Sequence, residues 1–304
     1  MPRDAHRFSA VIDLPEPYDA ARLFDFLATR AIPGAETVDS TNGGMSYARS
    51  LRLAGGPASM HLRHDGSRAV VSGLLSDKRD RASAISSVTR ILDLASDPAT
   101  VDAALARRQP LQRLVAERPG IRVPGAADPF ELAIRAVVGQ QISVARASAA
   151  CGVITVDHGD TLPDHVSVDE RLTHLFPTAE ALAAADPATL KMPRARGSAI
   201  TGFSAAVAEG DIDLSADDLR ERLLALPGFG PWTVGYICMR GLGSRDILLD
   251  GDLIIRRSAE SLGMPGRARE LAAYAERFAP WRSYLNMHLW AAYHPPDASR
   301  PRSA

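Results

Sequence analysis

The stretch Leu226-Pro227-Gly228-Phe229-Gly230-Pro231-Trp232-Thr233 decides how this sequence is interpreted. Residues 219–226 before it predict a helix, and Pro231 suits the first turn of a second helix that continues to Arg240. The glycines on either side of Phe229 allow a tight reversal and leave backbone amides uncovered. Uncovered amides at a helix start suit a phosphate group. The stretch therefore predicts a helix, a short hairpin and a helix, although a Gly-x-Gly alone is more typical of an ordinary corner.

Composition and charge exclude several classes of protein. The chain has 304 residues, 46% of them hydrophobic, with no apolar run long enough to span a membrane and no apolar secretory core near the N-terminus. Cys151 and Cys238 cannot build a four-cysteine iron–sulfur or zinc site, and we expect them to be reduced thiols in the cytoplasm. A net charge of −1 argues against a protein that coats nucleic acid, but it allows a small footprint of amides and arginines.

Hydrophobic periodicity divides the chain into two regions. Residues 1–76 show short alternating runs between glycine-containing turns, with one amphipathic helix at 18–30, which predicts a small antiparallel sheet domain. Residues 77–294 show helical periodicity and predict a second, helical domain. Within it, residues 158–177 are rich in Asp, His and Pro and predict a surface excursion, and residues 295–304 form a polar tail. The predicted fold class is α+β, with a sheet domain followed by an all-α domain.

The hairpin together with Asp252 resembles the helix-hairpin-helix DNA glycosylases, and further motifs narrow the resemblance to 3-methyladenine DNA glycosylase II of the AlkA type. These motifs are Pro15-Glu16-Pro17-Tyr18-Asp19, Tyr47-Ala48-Arg49-Ser50-Leu51, Gly139-Gln140-Gln141-Ile142-Ser143 and Pro280-Trp281-Arg282-Ser283-Tyr284. Only residues 154–177 and the tail fall outside the resemblance. It implies a TATA-box-protein-like sheet domain in front of a helix-hairpin-helix domain, with a base pocket in the cleft between helical layers.

The resemblance also implies the residues of the site. Asp252 takes the position of the catalytic carboxylate, which suits glycosidic cleavage because an anion stabilises an oxocarbenium-like sugar. The same residue is a good helix N-cap, and the two roles are compatible. Trp232, Tyr236, Trp290 and Phe26 occupy positions that line the base pocket. Aromatic faces attract a flipped, cationic purine by ~1–2 kcal/mol when desolvated, although buried Trp and Tyr are also common in ordinary cores.

Other positions are implied to contact DNA or a cation. The DNA-binding positions are Gln140, Gln141, Gly228, Phe229, Gly230 and Thr233. Gln141 departs from the family, which usually places an apolar wedge there to fill the gap left by the flipped nucleotide. Gly251 replaces a second carboxylate and Leu253 replaces an aromatic residue, so the resemblance does not fix the substrate range. No cofactor is expected to be required, but a structural Na⁺ or K⁺ is implied on the backbone carbonyls of Leu224, Leu226 and Phe229.

Position 232 indicates the type of reaction. In relatives that also cut the strand, a lysine stands there and forms a Schiff base, whereas this chain has Trp232. Lys78 and Lys191 are the only lysines, and neither is near the hairpin in sequence. We therefore predict a monomeric, monofunctional glycosylase that removes alkylated purines from double-stranded DNA. Two alternatives stay open: a glycosylase for oxidised or deaminated bases, and a non-catalytic helix-hairpin-helix protein that binds DNA damage.

Overall fold

In the computed structural model, which describes residues 5–41 and 44–293, the N-terminal part is an antiparallel sheet. Its strands are β1 (His6–Asp13), β2 (Glu36–Thr41), β3 (Gly44–Leu53), β4 (Gly56–Asp65) and β5 (Arg68–Leu75), in the order β1-β5-β4-β3-β2. Helix α1 (Ala20–Ala28) is capped by the Asp19 side chain and buries Leu23, Phe24 and Leu27. The predicted small antiparallel sheet with one packed helix is confirmed.

Two segments beyond residue 76 complete the core around this sheet. Helix α2 (Arg81–Ile91) buries Ala84, Val88 and Ile91 in the same cluster as Tyr47. On the opposite face, Leu162, Val166, Leu172 and Leu175 are buried against Ala48. Tyr47 and Ala48 are neighbours in β3, and successive strand residues point to opposite faces, so the sheet is covered on both sides. The prediction of a surface excursion at 158–177 is wrong for these apolar residues, because their irregular spacing gave no periodic signal.

The rest of the described chain is helical. The helices are α3 (Pro98–Leu105), α4 (Leu111–Glu117), α5 (Pro129–Val138), α6 (Val144–His158), α7 (Ala179–Ala183), α8 (Arg194–Ala208), α9 (Leu219–Leu224), α10 (Pro231–Gly241), α11 (Leu253–Ser261), α12 (Ala268–Ala275) and α13 (Arg282–Ala292). Asp128 and Ser143 cap α5 and α6 with their side chains, as these residue types favour. Helix α5 packs against α10, and the buried residues of both helices belong to one hydrophobic core.

Some sequence predictions extend beyond what the structure describes. The polar tail predicted at 295–304 lies outside residues 5–41 and 44–293. So do Asn42 and Gly43, the first two residues of a turn that Asn42-Gly43-Gly44 predicts between two of the alternating runs. Within those residues, every helix is too short or too polar to cross a membrane. The domain boundary at residue 76 stays a prediction, since α2 and residues 162–175 share the buried clusters of the sheet.

Two carboxylates and two guanidinium groups lie buried between the sheet and α5. Arg49 Nη1 lies 3.3 Å from Glu36 Oε1 and its Nη2 lies 2.6 Å from Glu131 Oε2. Arg135 Nη1 lies 3.0 Å from Glu36 Oε2 and 2.9 Å from Glu131 Oε1. Burial alone would raise the pKa of Glu36, but Arg135 and Arg49 outweigh it and hold that pKa at about 2. These four residues, here called the charge quartet, fix α5 against β2 and β3.

A buried histidine makes stability depend on pH. His288 on α13 is 2% exposed, and its Nε2 has no hydrogen-bond partner among the described residues. Burial, aided by Arg118 and Arg22, lowers its pKa to about 4 from the usual 6.5. As pH falls, the unfolded chain therefore binds a proton before the folded chain does, and stability is lost between about pH 6.5 and about pH 4. The lowered pKa of His288 corresponds to about 3 kcal/mol in the free energy of unfolding.

We expect the melting temperature of the wild-type protein to fall more steeply between about pH 7 and about pH 5 than that of His288→Asn, which cannot take up this proton. Thermal melts across this range measure both slopes, and each protein is compared with its own value at neutral pH. Parallel slopes for the two proteins would contradict the assignment of this pH dependence to His288.

Candidate active site

The helix, hairpin and helix stand at the predicted positions. Helix α9 ends at Leu224, the chain reverses, and α10 begins at Pro231 behind an N-cap glycine that offers no side-chain cap. The amides of Trp232 and Thr233 in the first turn therefore lack helical acceptors. Phe229 is 3% exposed, and its ring lies 5.0 Å from the Phe203 ring. Its side chain anchors the hairpin in the core, so only its backbone remains for the predicted contact with DNA.

Gln140 connects the end of α5 to the hairpin. Its Nε2 donates to the Gly228 carbonyl at 2.8 Å and to Thr233 Oγ1 at 2.9 Å. The backbone carbonyl of Gln140 accepts from Arg196 Nη2 at 2.5 Å. The side chains of Gln140 and Thr233 are thus committed to bonds within the protein, which gives them a structural role. Their contact with DNA stays a prediction.

A cavity of about 430 Å³ opens beside the hairpin, with walls from α5, α6, α10, α13 and the start of α11. Asp252, Trp232, Tyr236 and Trp290 all line it, so four of the five residues predicted for catalysis and the base pocket meet in one place. Phe26 lies just behind the wall. The guanidinium group of Arg30 lies 3.6 Å from the centre of its ring, and that of Arg240 lies 4.6 Å from it. Both arginines line the cavity.

Asp252 belongs both to a helix cap and to the cavity wall. Its Oδ1 accepts from the amides of Ile254 at 2.8 Å and Ile255 at 3.0 Å, which makes it the N-cap of α11. Its Oδ2 accepts from Trp232 Nε1 at 3.0 Å. Hydrogen bonds to a charged acceptor are strong, so these three donors fix one orientation of the carboxylate. The capping role foreseen for Asp252 is therefore real, and it leaves the negative charge at the cavity.

The aromatic side chains form a continuous wall. Trp232 and Tyr236 stand one turn apart on α10 and stack, with ring centres 5.2 Å apart and planes inclined by 10°. Trp290 meets Tyr236 edge-on, with a centre distance of 6.4 Å and an angle of 65°. The faces of such rings carry negative charge density that can hold a flat, cationic base.

The cavity also contains arginines that sequence reasoning missed. Arg240 is one turn beyond Tyr236 and donates Nη1 to its hydroxyl oxygen at 2.6 Å. Burial alone would raise the pKa of Tyr236, but Arg240 and Arg30 outweigh it and hold that pKa below its usual value. A signal for Arg240 was present, because it continues the four-residue spacing of Trp232 and Tyr236 along one helix face. Arg30 gave no such signal, since it reaches the cavity from the turn that follows α1.

Gln141 is exposed and has a φ of +60°, in the left-handed region. It lies between α5 and α6, and its neighbours Gly139, Ile142 and Val144 line the cavity. Leu253, next to Asp252, is 49% exposed. Gln141 and Leu253, two of the three residues that depart from the family pattern, therefore present their side chains to solvent beside the cavity, where they could meet a nucleic acid.

The carbonyls predicted to hold a monovalent cation are at the start of the hairpin. Leu224 is the last residue of α9, so its carbonyl has no helical partner. The Leu226 carbonyl accepts from the Phe229 amide at 3.2 Å and keeps one lone pair. Backbone oxygens of this kind fit Na⁺ or K⁺. Among residues 5–41 and 44–293, no group of three or more His, Cys, Asp or Glu side chains could hold a metal ion.

The two hairpin glycines should respond differently to alanine. Gly230 has an ordinary φ of −76°, and an added Cβ would meet nothing within 4 Å. Gly230→Ala should therefore fold like the wild type, while its methyl group obstructs a phosphate and weakens binding to damaged and undamaged DNA alike. Gly228 has a φ of +86°, and an added Cβ would lie 2.7 Å from the Ala199 Cβ, so Gly228→Ala should also lower the melting temperature.

Fluorescence anisotropy with a labelled duplex, alongside a thermal melt, measures both effects in these two variants. If Gly230→Ala weakened only the binding of damaged DNA, the hairpin would be a lesion-contacting element and its assignment to phosphate would be wrong. The comparison needs both variants, because Gly228→Ala alone cannot separate a folding defect from a lost phosphate contact.

Comparison with known proteins adds independent evidence. Residues 11–128 match the family described as the AlkA N-terminal domain. Over 284 residues the chain is 37% identical to the "Probable bifunctional transcriptional activator/DNA repair enzyme AlkA" of Mycobacterium tuberculosis, covering 92% of this chain and 56% of that protein. It is 34% identical over 284 residues to "DNA-3-methyladenine glycosylase 2" of Escherichia coli, covering 90% of this chain and 94% of that protein. The chain thus spans little more than half the length of its mycobacterial relative.

A solved structure shows the same fold at lower sequence identity. The 3-methyladenine DNA glycosylase from Archaeoglobus fulgidus superposes with a TM-score of 0.76 at 20% identity. The match covers 92% of this chain and 97% of that one, so it includes the sheet and the helical part together.

Proposed function

The chain belongs to the family of DNA-3-methyladenine glycosylase 2, and on that premise we propose that it is a monofunctional DNA glycosylase for alkylated, mainly cationic purines. The observation that carries the proposal is the carboxylate of Asp252, held by Trp232 at the wall of an aromatic cavity beside the hairpin. A protein that only bound phosphates would need neither the carboxylate nor the aromatic wall. The name of the Escherichia coli relative specifies 3-methyladenine, a base of this kind.

Binding precedes the chemistry in this proposal. The uncovered amides at the start of α10 hold a DNA phosphate, which positions the duplex without reading its sequence. The damaged nucleotide then leaves the stack and enters the cavity, at a cost of a few kcal/mol that is least for damaged bases. Gln141, exposed beside the cavity, takes the space that the nucleotide leaves.

Asp252 then acts on the sugar. As the glycosidic bond breaks, positive charge develops on the deoxyribose, and the oriented carboxylate stabilises it without further rearrangement. A base alkylated at N3 or N7 is already a good leaving group, so no strong general acid is required. The base leaves with the electron pair of the glycosidic bond. A water molecule then adds to C1′ of the sugar and gives up a proton to solvent, which leaves an abasic site. The three hydrogen bonds on the Asp252 carboxylate favour electrostatic stabilisation over proton abstraction from that water.

The proposal predicts an intact product strand. Trp232 occupies the wall position where a lysine would be needed, and Lys191 instead pairs with Asp157 at 3.1 Å. We expect an abasic site that breaks only after alkali or heat, and no adduct on treatment with borohydride, because trapping requires an amine nucleophile. Gel electrophoresis of an end-labelled duplex measures both, with a bifunctional glycosylase as positive control. A trapped protein–DNA adduct would show that the enzyme also cuts the strand.

Incubation with methylated DNA and identification of the released bases tests the function itself. Release of alkylated purines supports the proposal. Release of oxidised or deaminated bases alone, or binding without release, would replace it with one of the alternatives. The proposal further comprises a monomer in the cytoplasm, where the two free cysteines stay reduced, and no required cofactor. A structural Na⁺ or K⁺ on the carbonyls of Leu224, Leu226 and Phe229 would hold the hairpin in shape.

A further inference from the structure

The cavity wall changes polarity along α10. Trp232, Tyr236 and Arg240 follow one another every four residues, which spaces them by about 6 Å along the helix. The indole of Trp232 donates to Asp252 Oδ2, and the guanidinium of Arg240 donates to the Tyr236 hydroxyl. Arg30 lines the same end of the cavity as Arg240. The wall thus runs from a carboxylate at one end to guanidinium groups at the other.

At the guanidinium end, the Tyr236 hydroxyl is oriented as a donor. It accepts from Arg240 Nη1 at 2.6 Å, and among residues 5–41 and 44–293 it donates to no acceptor. Arg240 is held in place, because its Nε donates to the Pro124 carbonyl at 2.6 Å and its Nη2 to the Gly125 carbonyl at 3.4 Å. A guanidinium cannot accept a hydrogen bond, so the hydroxyl hydrogen of Tyr236 must point elsewhere. Since Tyr236 lines the cavity, an acceptor on a bound base can receive it.

Resting on the proposed function, we propose that Tyr236 is a specificity-determining residue. Its hydroxyl donates a hydrogen bond to a carbonyl oxygen on the flipped base, and this bond favours 6-oxopurine over 6-aminopurine lesions. The sugar must lie near Asp252, and the glycosidic nitrogen lies with it. Position 6 of a purine is on the ring edge remote from that nitrogen, so it faces Tyr236 and the arginines. An exocyclic amine there would face the guanidinium groups of Arg240 and Arg30 and a hydroxyl oxygen that already accepts from Arg240, so it would pair poorly, which costs binding energy.

The test uses DNA methylated with dimethyl sulfate, which carries 7-methylguanine and 3-methyladenine in one substrate. The first is a 6-oxopurine and the second a 6-aminopurine, and both are cationic. With enzyme in excess, the release of each base is timed by chromatography in the same reaction. Tyr236→Phe keeps the ring that stacks on Trp232 and removes the donor. We expect the ratio of the 7-methylguanine rate to the 3-methyladenine rate to fall about tenfold, the equivalent of about 1.4 kcal/mol.

Tyr274→Phe is the matched control, because the Tyr274 hydroxyl donates to the Gln109 carbonyl away from the cavity and its loss should leave the ratio unchanged. Arg240→Lys, which disturbs the orientation of the Tyr236 hydroxyl, should shift the ratio in the same direction as Tyr236→Phe. A folded Tyr236→Phe protein with the wild-type ratio would overturn the inference, whether both rates fall together or neither changes. A wild-type protein that releases neither base would instead contradict the proposed function.

Discussion

Asp252→Asn should slow the excision of 3-methyladenine by about 10²–10³-fold, or about 2.7–4 kcal/mol, because it removes one preorganised charge from the side of the developing sugar cation. The asparagine oxygen can still accept from the Ile254 and Ile255 amides and keep the cap of α11. Its amide nitrogen then faces Trp232 Nε1, which is also a donor, so the hydrogen bond to the indole is lost. Single-turnover release of the base measures the effect.

Two controls separate this loss of charge from a loss of structure. Asp97 caps α3 by accepting from the Thr100 amide at 2.9 Å, so Asp97→Asn changes a comparable cap and should leave the rate unchanged. Affinity of Asp252→Asn for a duplex with an abasic-site analogue should fall little, or rise, because an anion near the phosphates has gone. A folded Asp252→Asn protein that excises at the wild-type rate would contradict the mechanism. A rate that falls only in step with melting temperature would leave Asp252 as a cap alone.

Arg49→Met should lower the free energy of unfolding by about 3–5 kcal/mol, because it leaves the charge quartet with an uncompensated buried carboxylate. Arg49 and both of its acidic partners, Glu36 and Glu131, have side chains that are at most 5% exposed. Arg135 remains in place, but one guanidinium cannot neutralise two carboxylates. Urea denaturation at neutral pH, followed by circular dichroism, measures the change.

Arg113→Met provides the comparison for the buried pair. Arg113 Nε lies 2.7 Å from Glu117 Oε1, nearly the Arg49–Glu131 distance, but these side chains are 80% and 49% exposed. Exposed pairs contribute about 0.2–1 kcal/mol, so this variant should be almost as stable as the wild type. A similarly small change for both variants would show that the quartet is readily replaced and does not hold the two parts of the molecule together.

Those parts of the site that depend on local sequence could be predicted. The hairpin follows from glycine and proline chemistry over a few residues, and the meeting of Trp232 with Tyr236 follows from helical spacing. Asp252 could be placed at the start of a helix from the apolar run behind it, and its role came from the resemblance. Its hydrogen bond to Trp232 could not be predicted, because it depends on how α10 and α11 are packed.

Contacts between distant positions could not be predicted. Arg49 and Glu131 are 82 residues apart, and neither has a pattern around it that marks it as buried or paired. Arg30 reaches the cavity only because α1 stands beside α10. The hairpin sequence also gave no sign that the ring of Phe229 lies in the core. In each case the deciding information is tertiary packing, which outweighs local sequence preference.

The cover on the second face of the sheet has a consequence for synthesis. When the ribosome has completed β5, the face that carries Ala48 and Ser59 still lacks Leu162, Val166, Leu172 and Leu175. Those residues emerge only after α3, α4, α5 and α6 have been translated. The nascent sheet therefore carries an apolar surface through the translation of nearly ninety further residues, from Ser76 to Leu162. During that interval the apolar residues of this face, Ala48 and Leu74 among them, lack their native cover.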